Sequence, residues 1–184
     1  MPWSLPNTLT WARIAAIPLI VLLFYMPYPW ADPAAGLLFA AAGVTDSLDG
    51  YFARRLGQIS RLGAFLDPVA DKLIVAVALV LLVSRDARAL IVLTAAVIIG
   101  REITISALRE WMAEIGARAK VAVSQLGKYK TILQIIGLSM MLYRVPLLGL
   151  PIYRLGVVLI EVAAAATLLS MALYLRTAWP ELKR

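Results

Sequence analysis

Asp46 and Asp49 stand three residues apart, and Asp67 and Asp71 four apart, within the stretch VTDSLDGYFARRLGQISRLGAFLDPVADKL. Both spacings place a pair of carboxylates on one face of a helix. Four carboxylates gathered in one volume would repel one another and take up protons. One or two divalent cations remove that conflict. An all-oxygen ligand set suits Mg²⁺, Mn²⁺ or Ca²⁺ rather than zinc or copper. Small residues accompany the acids. Gly50 and Ala53 lie one turn beyond the first pair, and Gly63 lies one turn before Asp67, which leaves room for a bulky group against the backbone. Arg54 follows and is placed to meet a phosphate. Acidic, small and basic groups on one face point to metal-assisted phosphate chemistry. The chain has neither histidine nor cysteine. That excludes imidazole bases, thiolate nucleophiles, disulfides and Cys-type zinc sites.

The elements that must position these groups are apolar. Of 184 residues, 62% are hydrophobic, above the half or so of a soluble domain. Apolar stretches recur along the whole length, and no run of alternating ten-residue segments marks a membrane β-barrel. The pattern predicts an all-α polytopic membrane protein with six transmembrane helices. They run near 6–25, 33–56, 62–84, 89–115, 121–143 and 152–177, the first containing Pro18 as a tolerated kink. No linker divides the chain, so residues 1–184 read as a single integral membrane catalytic domain. The first apolar run has no charged segment before it and reads as a retained helix, not a cleaved signal.

The short link GQIS makes the second and third helices antiparallel neighbours, so both aspartate pairs fall near one end of the bundle. With six spans that end also carries Arg54, Arg55, Arg61, Arg118, Lys120, Arg176, Lys183 and Arg184. The other end has Arg85, Arg88, Arg144 and Arg154. The excess places both termini and the acidic site in the cytoplasm. The formal charge of +7 then serves anionic membrane lipids, with no call for nucleic acid. Trp3, Trp11, Trp30, Trp111 and Trp179 fall near helix ends, as interfacial anchors do. Ionisable residues at membrane depth mark function by default. An ion-coupled transporter and a scaffold with Asp–Arg packing pairs are the readings that compete with an enzyme.

Asp46, Asp49, Gly50, Ala53, Arg54, Gly63, Asp67 and Asp71, in the spacing D-x2-D-G-x2-A-R-x8-G-x3-D-x3-D, match the signature of the CDP-alcohol phosphotransferase family at every fixed position. Length and helix number resemble that family too, so the resemblance covers essentially the whole chain. It implies transfer of a phosphatidyl group from a CDP-linked lipid to an alcohol, with release of CMP. By the same resemblance, Asp46, Asp49, Asp67 and Asp71 would hold two Mg²⁺ ions, with Mn²⁺ as a substitute. Asp71 would be the general base. Asp49, Gly50, Ala53, Arg54 and Gly63 would cradle the cytidine diphosphate. The N-terminal LPNTLTWAR resembles the family's Pro-x-x-Leu-Thr-x-x-Arg opening in Pro6, Leu9, Thr10 and Arg13. Asn7 and Thr10 are expected near the diphosphate, although Asn7 also suits a helix cap. Arg13 is expected as a charge partner or phosphate ligand. Members of the family are commonly homodimers, and a homodimer in the inner membrane is expected here.

The second half of the chain bears on the acceptor. GREITISALREWMAEIG carries Arg101, Glu102 and Arg109 at spacings that allow one helical face, and QLGKYKT carries Lys128 and Lys130. An acceptor that is itself a phosphate needs such cations, whereas serine or free inositol does not. Both strings resemble a branch of the family that uses sn-glycerol 3-phosphate. The implied reaction is attack of the glycerol 1-hydroxyl on the β-phosphorus of CDP-diacylglycerol, giving phosphatidylglycerol phosphate and CMP. Arg109, Lys128 and Lys130, with Arg101 behind them, are expected to bind the acceptor phosphate. Glu102 is expected to fix an arginine. Cardiolipin synthesis and inositol-phosphate transfer are the alternatives within the family.

Overall fold

A computed structural model of the chain describes residues 5–56, 61–116 and 125–182, with side chains at 8–45, 63, 65–116, 129–176 and 179. It contains six helices: α1 (Leu5–Tyr25), α2 (Ala31–Leu56), α3 (Arg61–Arg85), α4 (Ala89–Glu114), α5 (Gln125–Tyr143) and α6 (Ile152–Leu182). The expected boundaries hold to a few residues, except that α6 continues to Leu182 instead of ending near Thr177. Residues 121–124, expected to begin the fifth helix, lie outside the described residues. The one β-type pairing among the described residues is an isolated bridge between Leu147 and Leu150. It closes a tight turn in which Leu148 and Gly149 have φ of 52° and 78°, as hairpin turns require.

Three helices are long and apolar enough to cross a membrane by composition alone, over Thr8–Tyr25, Ala89–Glu114 and Ile152–Arg176 among the described residues. The sequence predicts six such spans. Of the other three helices, α2 contributes a shorter apolar stretch, Ala31–Thr45, among the described residues, and α3 carries Asp67, Asp71 and Lys72 in its first half.

Helix order in space follows close backbone contacts. α5 lies along α6 and α2, α1 packs on α2 and α3, and α4 leans on α6. Small residues permit the closest approaches. A Cβ built on Gly36 of α2 would lie 2.6 Å from the Cβ of Tyr143 on α5. One built on Gly156 of α6 would lie 2.8 Å from the carbonyl oxygen of Gly137 on α5. The apolar core between these helices is built from Ile17, Ile20 and Phe24, Phe39, Ile74 and Leu82, Ile98, Leu138 and Leu142, and Ile160.

Each buried stripe is apolar through the middle of the bundle and turns polar at one end. On α1 the stripe reads Phe24, Ile20, Ile17, Arg13, Thr10. On α4 it reads Ile91, Ile98, Arg101, and on α5 Leu142, Leu138, Gln134, Lys130. Because successive helices alternate in direction, these polar ends coincide. The opposite end is tied by loop contacts. Arg85 Nη1 donates to Asp32 Oδ1 at 2.6 Å and lies 3.7 Å over the Phe24 ring. Asp86 accepts from Arg88 Nη2 at 2.7 Å and from the Tyr153 hydroxyl. The Arg88 guanidinium, followed by that hydroxyl, holds the Asp86 carboxyl well below the usual carboxylate range.

Candidate active site

Asp67 and Asp71 lie one turn apart on α3, and α1 supplies a partner to each. Thr10 Oγ1 donates to Asp67 Oδ1, and Arg13 Nη1 donates to Asp71 Oδ1. Thr10 and Arg13 are 1% and 2% exposed. They sit three apart on the buried stripe of α1, so the segment that continues as apolar core also delivers these contacts. Arg13 thus takes the role of charge partner. Thr10, expected at the diphosphate, stands on a carboxylate expected to bind metal.

Asp71 opens onto a cavity of about 230 Å³ lined by residues of α1 to α6. Its floor is apolar, with Phe39, Ile74, Val75 and Ile135, and its polar wall carries Arg101, Arg109 and Lys130. Three cations face a single carboxylate of their own, Glu102. That group accepts from Arg101 Nη1 and lies 3.9 Å from Lys130 Nζ, so it fixes an arginine as expected and a lysine besides. Arg109 Nη2 donates to the Tyr174 hydroxyl at 3.3 Å, with its guanidinium 5.5 Å from the centre of that ring.

Lys130 is 3% exposed. Its Nζ, and the Nε atoms of Arg101 and Arg109, are buried without a hydrogen-bond partner. Buried donors are nearly always satisfied, and three cations left open around one cavity form a ready anion site. The structure therefore brings Arg101, Arg109 and Lys130 to the same space as Asp71. Gly63 is buried on the first turn of α3. Asp46, Asp49, Gly50, Ala53 and Arg54 stand on the last turns of α2, Asn7 on the first turn of α1 and Lys128 on the first turn of α5. Their side chains lie outside the described residues, as do Arg118 and Lys120 altogether. Among the described residues, no three acidic side chains form a metal cluster.

Sequence reasoning missed Gln134, Tyr174 and Lys72, all on the cavity wall. Gln134 had a signal: a polar amide inside the run ILQIIG, four residues after Lys130. Tyr174 had none, since an aromatic near a helix end reads equally well as an anchor.

The family model for CDP-alcohol phosphatidyltransferase matches residues 3–174, a range that includes every residue named at the site. A protein of Pseudomonas fluorescens is 50% identical over 181 residues, covering 98% of this chain and 92% of its own. Proteins of Escherichia coli (strain K12) and of Shigella flexneri serotype 5b (strain 8401) are each 48% identical over 182 residues, covering 99% of this chain and 98% of theirs. All three are named CDP-diacylglycerol–glycerol-3-phosphate 3-phosphatidyltransferase. With the family model matching residues 3–174 and relatives about half identical over nearly the whole chain, the chain belongs to the CDP-alcohol phosphatidyltransferase family.

Proposed function

We propose that this protein transfers the phosphatidyl group of CDP-diacylglycerol to sn-glycerol 3-phosphate, releasing CMP and forming phosphatidylglycerol phosphate. The observation that carries this reading is the cavity that Asp71 shares with the buried cations Arg101, Arg109 and Lys130. A small acceptor bearing a phosphate at one end and a hydroxyl at the other fits that arrangement. The relatives named above carry the same activity in their names.

Lys130 and the two arginines hold the acceptor phosphate, and Lys128 would add a fourth cation. Arg13 orients the Asp71 carboxylate through its guanidinium. Asp71 takes the proton of the glycerol 1-hydroxyl as its oxygen forms a bond to the β-phosphorus. The bond from that phosphorus to the CMP oxygen breaks, and CMP leaves. Holding both reactants in one cavity supplies much of the acceleration. Asn7, Asp49, Gly50, Ala53, Arg54 and Gly63 would receive the cytidine diphosphate, with Thr10 acting there through Asp67.

The family uses divalent metal ions, and the residues here fit one. Asp67 and Asp71 are half-buried carboxylates one turn apart on α3, and the chain has no histidine or cysteine to offer a softer ligand. Asp46, Asp49, Asp67 and Asp71 would hold two Mg²⁺ ions, which when bound neutralise the pyrophosphate and stabilise the departing CMP. The site faces the cytoplasm from the inner membrane, where a lipid arrives laterally and glycerol phosphate arrives from water.

The test is CMP release by the purified protein from CDP-diacylglycerol, with and without Mg²⁺. Glycerol 3-phosphate, serine, inositol phosphate and phosphatidylglycerol are offered separately. Release with glycerol 3-phosphate and metal alone is the expected result. Release with another acceptor would overturn the reading of the cationic wall. No release with any, from folded protein, would return the ion-coupled transporter.

A further inference from the structure

Gln134 is 5% exposed and lines the central cavity. It lies one turn, about 6 Å along the axis, beyond Lys130 on the same face of α5. None of the described residues engages its side chain. The neighbouring hydroxyl on the wall, Thr131, already has a partner. A carboxamide carries both an acceptor and donors, and at membrane depth a polar side chain without a protein partner is expensive and marks a functional position.

This inference rests on the proposed acceptor. sn-Glycerol 3-phosphate has three polar parts: the phosphate, the reacting hydroxyl at the far carbon, and a secondary hydroxyl between them. The phosphate belongs to Lys130 and the arginines, and the reacting hydroxyl to Asp71. The remaining polar group of the acceptor then meets the remaining buried polar side chain of the wall, since Lys72 on the same wall is exposed. We propose that Gln134 binds the secondary hydroxyl of the acceptor and so makes the enzyme specific for a glycerol chain of one hand. Three fixed points distinguish the enantiomers, because with phosphate and primary hydroxyl in place the wrong hand turns its secondary hydroxyl away from α5. A site built around a substrate hydroxyl rejects the analogue that lacks it far more strongly than an apolar wall could.

The experiment compares kcat/KM for CMP release with sn-glycerol 3-phosphate, with 3-hydroxypropyl phosphate, which lacks the secondary hydroxyl, and with sn-glycerol 1-phosphate. It uses the full-length enzyme, Gln134→Met and Gln134→Asn. The unmodified enzyme prefers sn-glycerol 3-phosphate by about 10²-fold or more. In Gln134→Met, which keeps the length but not the amide, that preference falls to within about threefold over both analogues. Gln134→Asn, with its amide drawn back by one methylene, lies between. Each preference is a ratio within one preparation, so partial misfolding cancels. Equal use of the acceptors by the unmodified enzyme would overturn the proposal. So would a Gln134→Met enzyme with the full preference, or one that loses all acceptors alike. An unmodified enzyme that releases CMP with none of them would instead overturn the acceptor reading beneath it.

Discussion

In the proposed reaction two demands meet at Asp71, since the carboxylate must accept a proton and yet stay fixed against a cationic partner. Arg13 answers the second demand from a position 58 residues away in sequence. Asp71→Asn preserves shape and removes the base, so kcat for CMP release falls by about 10²–10⁴-fold. Circular dichroism of the purified variant should match the parent, and a variant with more than a tenth of parental kcat would remove Asp71 from the role. The role proposed for Lys130 is in binding instead. Replacing it by Met deletes a buried charge-assisted contact worth about 2–3 kcal/mol. KM for glycerol 3-phosphate should rise by about 30–150-fold while KM for CDP-diacylglycerol changes little. If both constants rise together, Lys130 is not specific to the acceptor phosphate.

Helix pairs carry the next set of expectations. The α5–α6 contact brings the backbones of Gly137 and Gly156 together, and Gly156→Val would place a branched side chain where even a single Cβ comes within 2.8 Å of a carbonyl. Backbone cannot move aside as a flexible side chain can, so the cost is about 1–3 kcal/mol or more. Thermal unfolding in detergent should show a Tm lower by at least about 3 °C. At the loop end, Asp86 has a folded-state carboxyl held below its ordinary value by Arg88 and then by Tyr153. A depressed carboxyl stabilises the fold above its unfolded pKa of about 3.9, and that stabilisation is lost as pH falls through the lower folded value. Asp86→Asn should therefore lower Tm by about 2 °C at pH 7. The gap from the parent should close as pH falls below about 4; a gap constant with pH would argue against the ion pair.

For the whole molecule, the expected orientation has a direct test because the natural chain has no cysteine. Leu148, 94% exposed in the turn between α5 and α6, lies at the end opposite the cavity. In intact cells Leu148→Cys should react with a membrane-impermeant maleimide, and a cysteine added after Arg184 should react only once the membrane is opened; the reverse pattern would invert the topology. The number of helices, their lengths, the end that holds the acids and the need for divalent cations were legible along the chain. Helical spacing and hydropathy are local properties that fix which face of a helix is buried. Such periodicity does not say which helix a buried face will meet. The partners of Thr10, Arg13 and Arg109 lie 57, 58 and 65 residues away. The sharing of Glu102 between Arg101 and Lys130 joins α4 to α5. Those contacts depend on close glycine-mediated packing that sets helix against helix, and with it the placing of Gln134 and Tyr174 on the cavity wall. Only the tertiary structure could decide them, because the energy of each is realised by residues the chain keeps far apart until the bundle closes.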